Sequence, residues 1–159
     1  MAAHYIKTYL NDHLAGSSLG IELASTLATR LKAPANAVLL ELGAEFESER
    51  NELKSLMKKL DVPESTLRQA GAWLSEKFLE VKLRLEDKDG SFFRFEGLEA
   101  LSVGIAGKHL MWVCLSDLAT RSERFRGPDY PKLISQALSQ RERVETLRTR
   151  AACDSFLEI

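Results

Sequence analysis

Three glutamates, Glu41, Glu45 and Glu49, follow one another at four-residue spacing in the stretch ELGAEFESERNEL, Glu41 to Leu53. On a helix that spacing stacks their carboxylates along one ridge. Like charges so placed repel by a few tenths of a kcal/mol each, unless something positive lies beside them. Three partners are open to such a ridge. The carboxylates can coordinate a metal ion, pair with basic side chains, or meet only water. The histidines that a metal site would draw on are His4, His13 and His109. One imidazole without a second ligand at suitable spacing specifies no metal, and His13, on an apolar stripe, also reads as a hydrogen-bonded core histidine.

The elements that must position these groups follow from punctuation and periodicity. Pro34, Pro63, the run EDKDGS (Glu86 to Ser91) and the run RGPDYP (Arg126 to Pro131) divide the chain into five helix-length segments. They span roughly 5–32, 35–60, 64–85, 95–121 and 130–156. None alternates with a period of two, so the chain is expected to be all-α. Asp129, just ahead of Pro131, suits a helix start: its carboxylate can accept from free backbone donors while proline fits the first turn.

Helical phase of about 100° per residue then sorts the faces. Segment 5–32 carries Ile6, Leu10, Leu14, Ser17, Ile21, Ala24, Ala28 and Leu31 on one stripe, with His13 inside it and Gly16 and Gly20 allowing close approach. Segment 35–60 carries Val38, Leu42, Phe46, Leu53, Leu56 and Leu60. Glu49 points along the middle of that stripe, Glu45 lies at its margin, and Glu41 and Glu52 lie further out. The ridge therefore runs from solvent into the core, where a carboxylate is seldom left unpaired. Segment 64–85 is narrowly amphipathic, through Leu67, Ala70, Leu74, Phe78, Val81 and Leu85. Segment 95–121 is apolar nearly all round: Leu98, Leu101, Ile105, Trp112 and Ala119 make one face, and Val103, Leu110, Val113 and Cys114 fill much of the other. Such a helix has to be covered on both sides. The cover is either segment 64–85 or a second copy of the protein, so a homodimer through one of these two segments is expected. Segment 130–156 presents Tyr130, Leu133, Ala137, Val144, Leu147 and Ala151, with Gln140, Arg141 and Arg148 pointing the same way.

Composition sets the outer limits. The 159 residues suffice for a single domain, 1–159, with its own core. A net charge of -1, with 22 basic against 23 acidic residues, argues against a dedicated nucleic-acid binder. Near the C-terminus Arg141, Arg143, Arg148 and Arg150 alternate with Glu142 and Glu145, the pattern of a solvated helix face. Cys114 and Cys153 are too far apart for a zinc or disulfide framework and read as free, buried or half-exposed thiols. No basic leader precedes an apolar run, and no uninterrupted apolar stretch reaches membrane-spanning length, so a cytoplasmic protein without membrane partners is the expectation.

Short loops make successive helices antiparallel. Segments 5–32, 35–60, 95–121 and 130–156 then form a four-helix bundle, and 64–85 becomes a long crossover. That connectivity resembles the ferritin-like superfamily. The stretches YLNDHLAGSSLGIELASTLA, LGAEFESERNELKSLM and LEALSVGIAGKHLMW are similar to segments of a group of uncharacterised bacterial ferritin-like proteins, and the resemblance covers nearly the whole chain. It implies a di-metal carboxylate site, built from a Glu on each of two helices and a Glu-x-x-His on each of the other two. The chain departs from that pattern: Leu10 and Ala106 stand three residues before His13 and His109, and Arg50 follows Glu49. No metal and no other cofactor is expected.

A polar core cluster is expected in its place. Counting from the hairpin hinges brings Ser17, Glu49, Lys108 or His109, and Gln140 or Arg141 to one height, with His13 and Glu45 about a turn away. Glu49 should be buried and paired with Lys108, Arg141 or His13, although Lys108 reads equally as an ammonium reaching solvent past its apolar stem. Trp112 and Phe46 read as core filler. The leading expectation is a non-catalytic structural or interaction bundle. The competing one is a metal-dependent oxidoreductase or metal-handling protein using His13, Glu45, Glu49 and His109, and a third is a carrier of an apolar ligand between helices. No nucleophile–base pair or phosphate loop supports hydrolase or nucleotide chemistry.

Overall fold

The structure, a computed structural model, describes residues 2–65 and 90–157. These residues form four α-helices: α1 (Ala2–Arg30), α2 (Ala35–Lys59), α3 (Ser91–Arg121) and α4 (Tyr130–Phe156). A short 3-10 turn, Glu123–Phe125, stands between α3 and α4, and there is no strand among the described residues. Five helices were expected from the sequence; the 64–85 segment falls almost wholly outside the described residues. The helix expected from 95 begins instead at Ser91, directly after Gly90 in the left-handed region at φ 70°. The buried Ser91 and Phe93 belong to its first turn.

Helix ends are set by local chemistry. Asp129 caps α4 by accepting from the Lys132 backbone N–H at 3.1 Å, with proline in the first turn, as its position implied. At the end of α2, Val62 N–H returns to the Met57 carbonyl at 2.9 Å and Asp61 N–H to the Lys58 carbonyl at 3.2 Å. Asp61 takes the left-handed conformation that this closing motif demands (φ 57°). The chain leaving α2 is then held against α1 by the buried Asn11. Its amide donates to the Lys7 and Pro63 carbonyls at 2.9 and 3.2 Å, and its carbonyl accepts from Ser65 N–H at 2.7 Å.

Side-chain packing fixes the topology. One apolar cluster joins Leu23, Leu27, Leu39, Leu42, Phe46, Leu98, Leu101, Ile105 and Val144. A second joins Leu10, Leu14, Leu53, Leu56, Met57, Met111, Trp112, Leu115, Tyr130 and Leu133. Each cluster takes residues from all four helices, and α1 enters the first with its C-terminal half while α2 enters it with its N-terminal half. Neighbouring helices are therefore antiparallel around the bundle. It follows that α2 ends at the level where α3 also ends, and that α3 begins at the opposite end of the bundle. The core face of α1 differs in part from the expected stripe: Leu23 and Leu27 are buried, while Ser17 and Ile21 are only half-buried.

α1 packs closely on α2, and α3 on α4. Across the bundle, α1 meets α3 directly, whereas α2 and α4 stand further apart. α1 and α3 approach closely at Gly97, where a Cβ would lie 2.9 Å from Leu27 Cδ2. α3 is long and apolar enough to cross a membrane by length and composition alone. Here its buried side serves the core through Leu98, Leu101, Ile105, Met111, Trp112 and Leu115. Its other side leaves Val103, Leu110 and Val113 exposed at 56%, 65% and 43%. The two thiols, Cys114 and Cys153, are both exposed rather than buried.

Two glycine substitutions test this packing. Gly43, inside α2, has nothing within 4 Å of the space a Cβ would fill. Gly43→Ala should raise the unfolding free energy by about 0.5–1 kcal/mol through helix propensity alone. Gly97→Ala should show no such gain in the same urea titration, because its methyl collides with the fully buried Leu27.

Candidate functional site

The two apolar clusters leave a polar layer between them, and its side chains bridge α2 and α4. Its centre is Glu49, 3% exposed, between Phe46 and Leu53 on the inward face of α2. Lys108 comes from α3, between Ile105 and Met111, and places Nζ 2.5 Å from Glu49 Oε2. Gln140 comes from α4 and is fully buried. Its amide Nε2 donates to Glu49 Oε1 at 2.6 Å and to Glu45 Oε2 at 2.8 Å. Its carbonyl Oε1 accepts from Lys108 Nζ at 2.5 Å. The buried amide is thus satisfied at both ends, as a polar group in a core must be. Arg143, one turn further along α4, closes the network toward solvent. Its Nη2 donates to both Glu45 oxygens, at 2.8 and 2.6 Å.

The glutamate ridge does run from water into the core. Glu41 is 71% exposed and only 3.9 Å from Arg143 Nη1, and the Glu45 side chain is 29% exposed. Glu49 is buried, and its cation is Lys108, whereas Glu41 and Glu45 share Arg143. Lys108 also lies over the Phe46 ring, 4.4 Å from its centroid, so an aromatic face supplements the carboxylate on one side of the ammonium. The Lys108–Glu49 contact is an ion pair that is poorly aligned as a hydrogen bond, and Oε2 has no hydrogen-bond donor aimed at it.

Proton affinities follow from these surroundings. Burial pulls the Lys108 ammonium below its ordinary value, with the Glu49 and Glu45 charges opposing the change and Arg143 adding to it. Burial works to raise the Glu45 carboxyl. Hydrogen bonds from Arg143 and Gln140, the Arg143 charge and a further bond from Gln136 outweigh it, so Glu45 sits below the ordinary carboxylate range. A second polar staple joins α3 to α4 nearby: Ser102 donates to Glu145 at 2.5 Å, and Arg148 binds both Glu145 and Glu99.

Of the residues singled out by sequence, Glu45, Glu49, Lys108 and Gln140 come together. The other three stand apart. Arg141 is exposed, because it follows Gln140 by one residue and so points about 100° away from it. His13 is half-buried on α1 with its ring edge against Tyr9, centroids 4.7 Å apart. His109 is half-buried, and its imidazole makes no hydrogen bond or ion pair among the described residues. Ser17, expected at the same height, turns its hydroxyl back to the Leu14 carbonyl at 2.6 Å. The sequence reading missed Arg143, which lies three residues after Gln140 and therefore shares its face. It also missed Asn11, whose role depends on a partner 52 residues away.

The arrangement does not suit a di-metal centre. Among the described residues no three His, Cys, Asp or Glu side chains converge. The two inward carboxylates are already compensated, Glu49 by an ammonium and Glu45 by a guanidinium. No family model, no curated protein and no solved structure matches the chain.

Two measurements check this layer. Glu49→Ala or Lys108→Met, by leaving one buried charge alone, should each lower stability by about 3 kcal/mol or more. The pair Glu49→Gln with Lys108→Met removes both charges at nearly constant shape, and in a double-mutant cycle with Glu49→Gln and Lys108→Met alone it should recover most of the loss. The second measurement concerns pH. Burial lowers His13 below its ordinary 6.5 and Asp12 only partly opposes it, so the folded protein takes up its proton later than the unfolded chain. Stability should therefore fall as pH drops below 6.5, and His13→Gln should flatten that part of the curve. Glu45, lowered from 4.5, contributes stability present above that value and lost below it. His13→Gln should leave that lower limb in place.

Proposed function

We propose that this protein is a non-catalytic ferritin-like helical bundle, in which a lysine–arginine pair stands where relatives of that fold would bind metals. It works by association, as a structural or interaction protein. The observation that carries the reading is the position of Lys108 Nζ. It sits at mid-bundle between Glu49 and Gln140, against the Phe46 ring, and is the cation that the inward carboxylate requires. A metal taking that place would have to displace a buried ammonium and then find its remaining ligands among Gln140 and Glu45, without a histidine.

The order of the helices supports the ferritin-like part of the reading. Two antiparallel hairpins pack face to face, and the chain re-enters at the end of the bundle opposite to the one it left. That is the placement which one long crossover connection produces. The local stretches that resemble bacterial ferritin-like proteins contain Glu49 and Lys108 themselves.

Elemental analysis of protein purified without chelators, combined with melting curves, tests the reading. Less than stoichiometric transition metal is expected, with no rise in melting temperature on adding iron or manganese. Stoichiometric metal that disappears in Glu49→Ala would overturn it in favour of a metal-dependent oxidoreductase or metal-handling protein.

A further inference from the structure

Among the described residues α3 keeps one apolar face largely exposed, with only the Cys114 thiol engaged, by the Tyr9 hydroxyl of α1. Val103 is 56% exposed and Leu110 is 65% exposed, and Cys114 is exposed beside Val113. Together with Gly107 these residues recur at intervals of four, three and four, the seam pattern along which two helices interlock. Large exposed apolar side chains in such a row mark a surface meant to be covered.

The seam is complementary to itself in one orientation. If a second α3 runs antiparallel, with the two-fold axis level with the midpoint between Gly107 and Leu110, Leu110 of each helix faces Gly107 of the other. Gly107 has nothing within 4 Å of the position a Cβ would occupy, so nothing among the described residues requires a glycine there. A glycine inside a helix costs about 1 kcal/mol relative to alanine. The recess it leaves accepts a leucine from outside. The same register sets Val103 against Cys114 and keeps the two copies of Arg121 at opposite ends of the seam. Arg121 is 73% exposed, and among the described residues it pairs with the exposed Asp117. A parallel pair would instead set Arg121 on Arg121, and like charges facing each other across a seam oppose association.

We infer that α3 is an isologous, antiparallel dimer interface, whose occupant is the α3 of a second copy of this chain. This deepens the reading of the protein as one that works by association and rests on it. A face that pairs with itself about a two-fold axis gives a closed dimer and no longer chain of copies.

Light scattering at micromolar concentration should give twice the chain mass. Leu110→Glu alters only an exposed side chain, and should halve that mass while leaving the helical circular dichroism unchanged. The register is read by Val103→Cys in a Cys153→Ser background under mild oxidation. The expected product is a covalent dimer whose mass-spectrometric fragments join position 103 to Cys114 of the partner subunit. A monomeric wild-type mass overturns the interface, and a Cys114-to-Cys114 link as the main product overturns its antiparallel register. Metal content is measured on the same samples. Stoichiometric metal in an intact dimer would defeat the proposed function alone, and a metal-free monomer would defeat this interface alone.

Discussion

A carboxylate withdrawn from water at the middle of a helical bundle has to be met by a positive charge, and the rest of this structure is arranged around that requirement. Burying Glu49 without compensation would cost several kcal/mol. Lys108 supplies the charge and Gln140 the aligned hydrogen bond. Neither residue comes from α2, so the pairing ties both helices of the second hairpin to one helix of the first. α1 contributes no charge to the layer. It packs instead through Leu27 against Gly97, and so draws α3 in at close range. The bundle is thereby asymmetric, with a tight apolar seam between α1 and α3 and a wider seam between α2 and α4 spanned by long polar side chains.

The polar layer also fixes register. Apolar packing above and below it would accept α4 shifted by a turn, since one aliphatic side chain replaces another at small loss. The same shift would carry Gln140 away from both glutamates and leave a buried oxygen without a donor, which costs far more. Arg143 reinforces the point, because both of its bonds go to a single residue, Glu45. Charge here specifies which arrangement forms, and the two apolar clusters supply most of the favourable free energy of forming it.

Much of this was legible in the sequence where periodicity was strong. The boundaries of α2 and α4 and the inward phase of Glu49 follow from 3.6-residue geometry, and hairpin counting narrows the residues at its height to Lys108 or His109 and Gln140 or Arg141 without choosing between them. Failures came where charge pattern and phase disagreed. The alternation of Arg with Glu near the C-terminus reads as a solvated face, yet Arg143 lies on the Gln140 side of α4 and meets Glu45, while Arg141 points away. His13 was placed by the same counting one turn from the cluster. Its ring packs instead on Tyr9 of its own helix. Asn11 gave no signal at all, because its partners Pro63 and Ser65 lie in irregular backbone that carries no periodicity.

The connection of the helices has a kinetic consequence. Each hairpin closes over a short loop, residues 31–34 in one and 122–129 in the other, so each can form from contacts near in sequence. The bond between Gln140 and Glu49 spans 91 positions and cannot close until the hairpins dock. Contacts of such long range carry the largest loop-closure entropy and form late when the nucleus is local. The buried ion pair is then a latch that shuts after the helices have found each other. Substitutions within it would quicken unfolding while leaving the folding rate nearly unchanged, and a chevron analysis of Glu49→Ala would expose the opposite behaviour if the latch closed early.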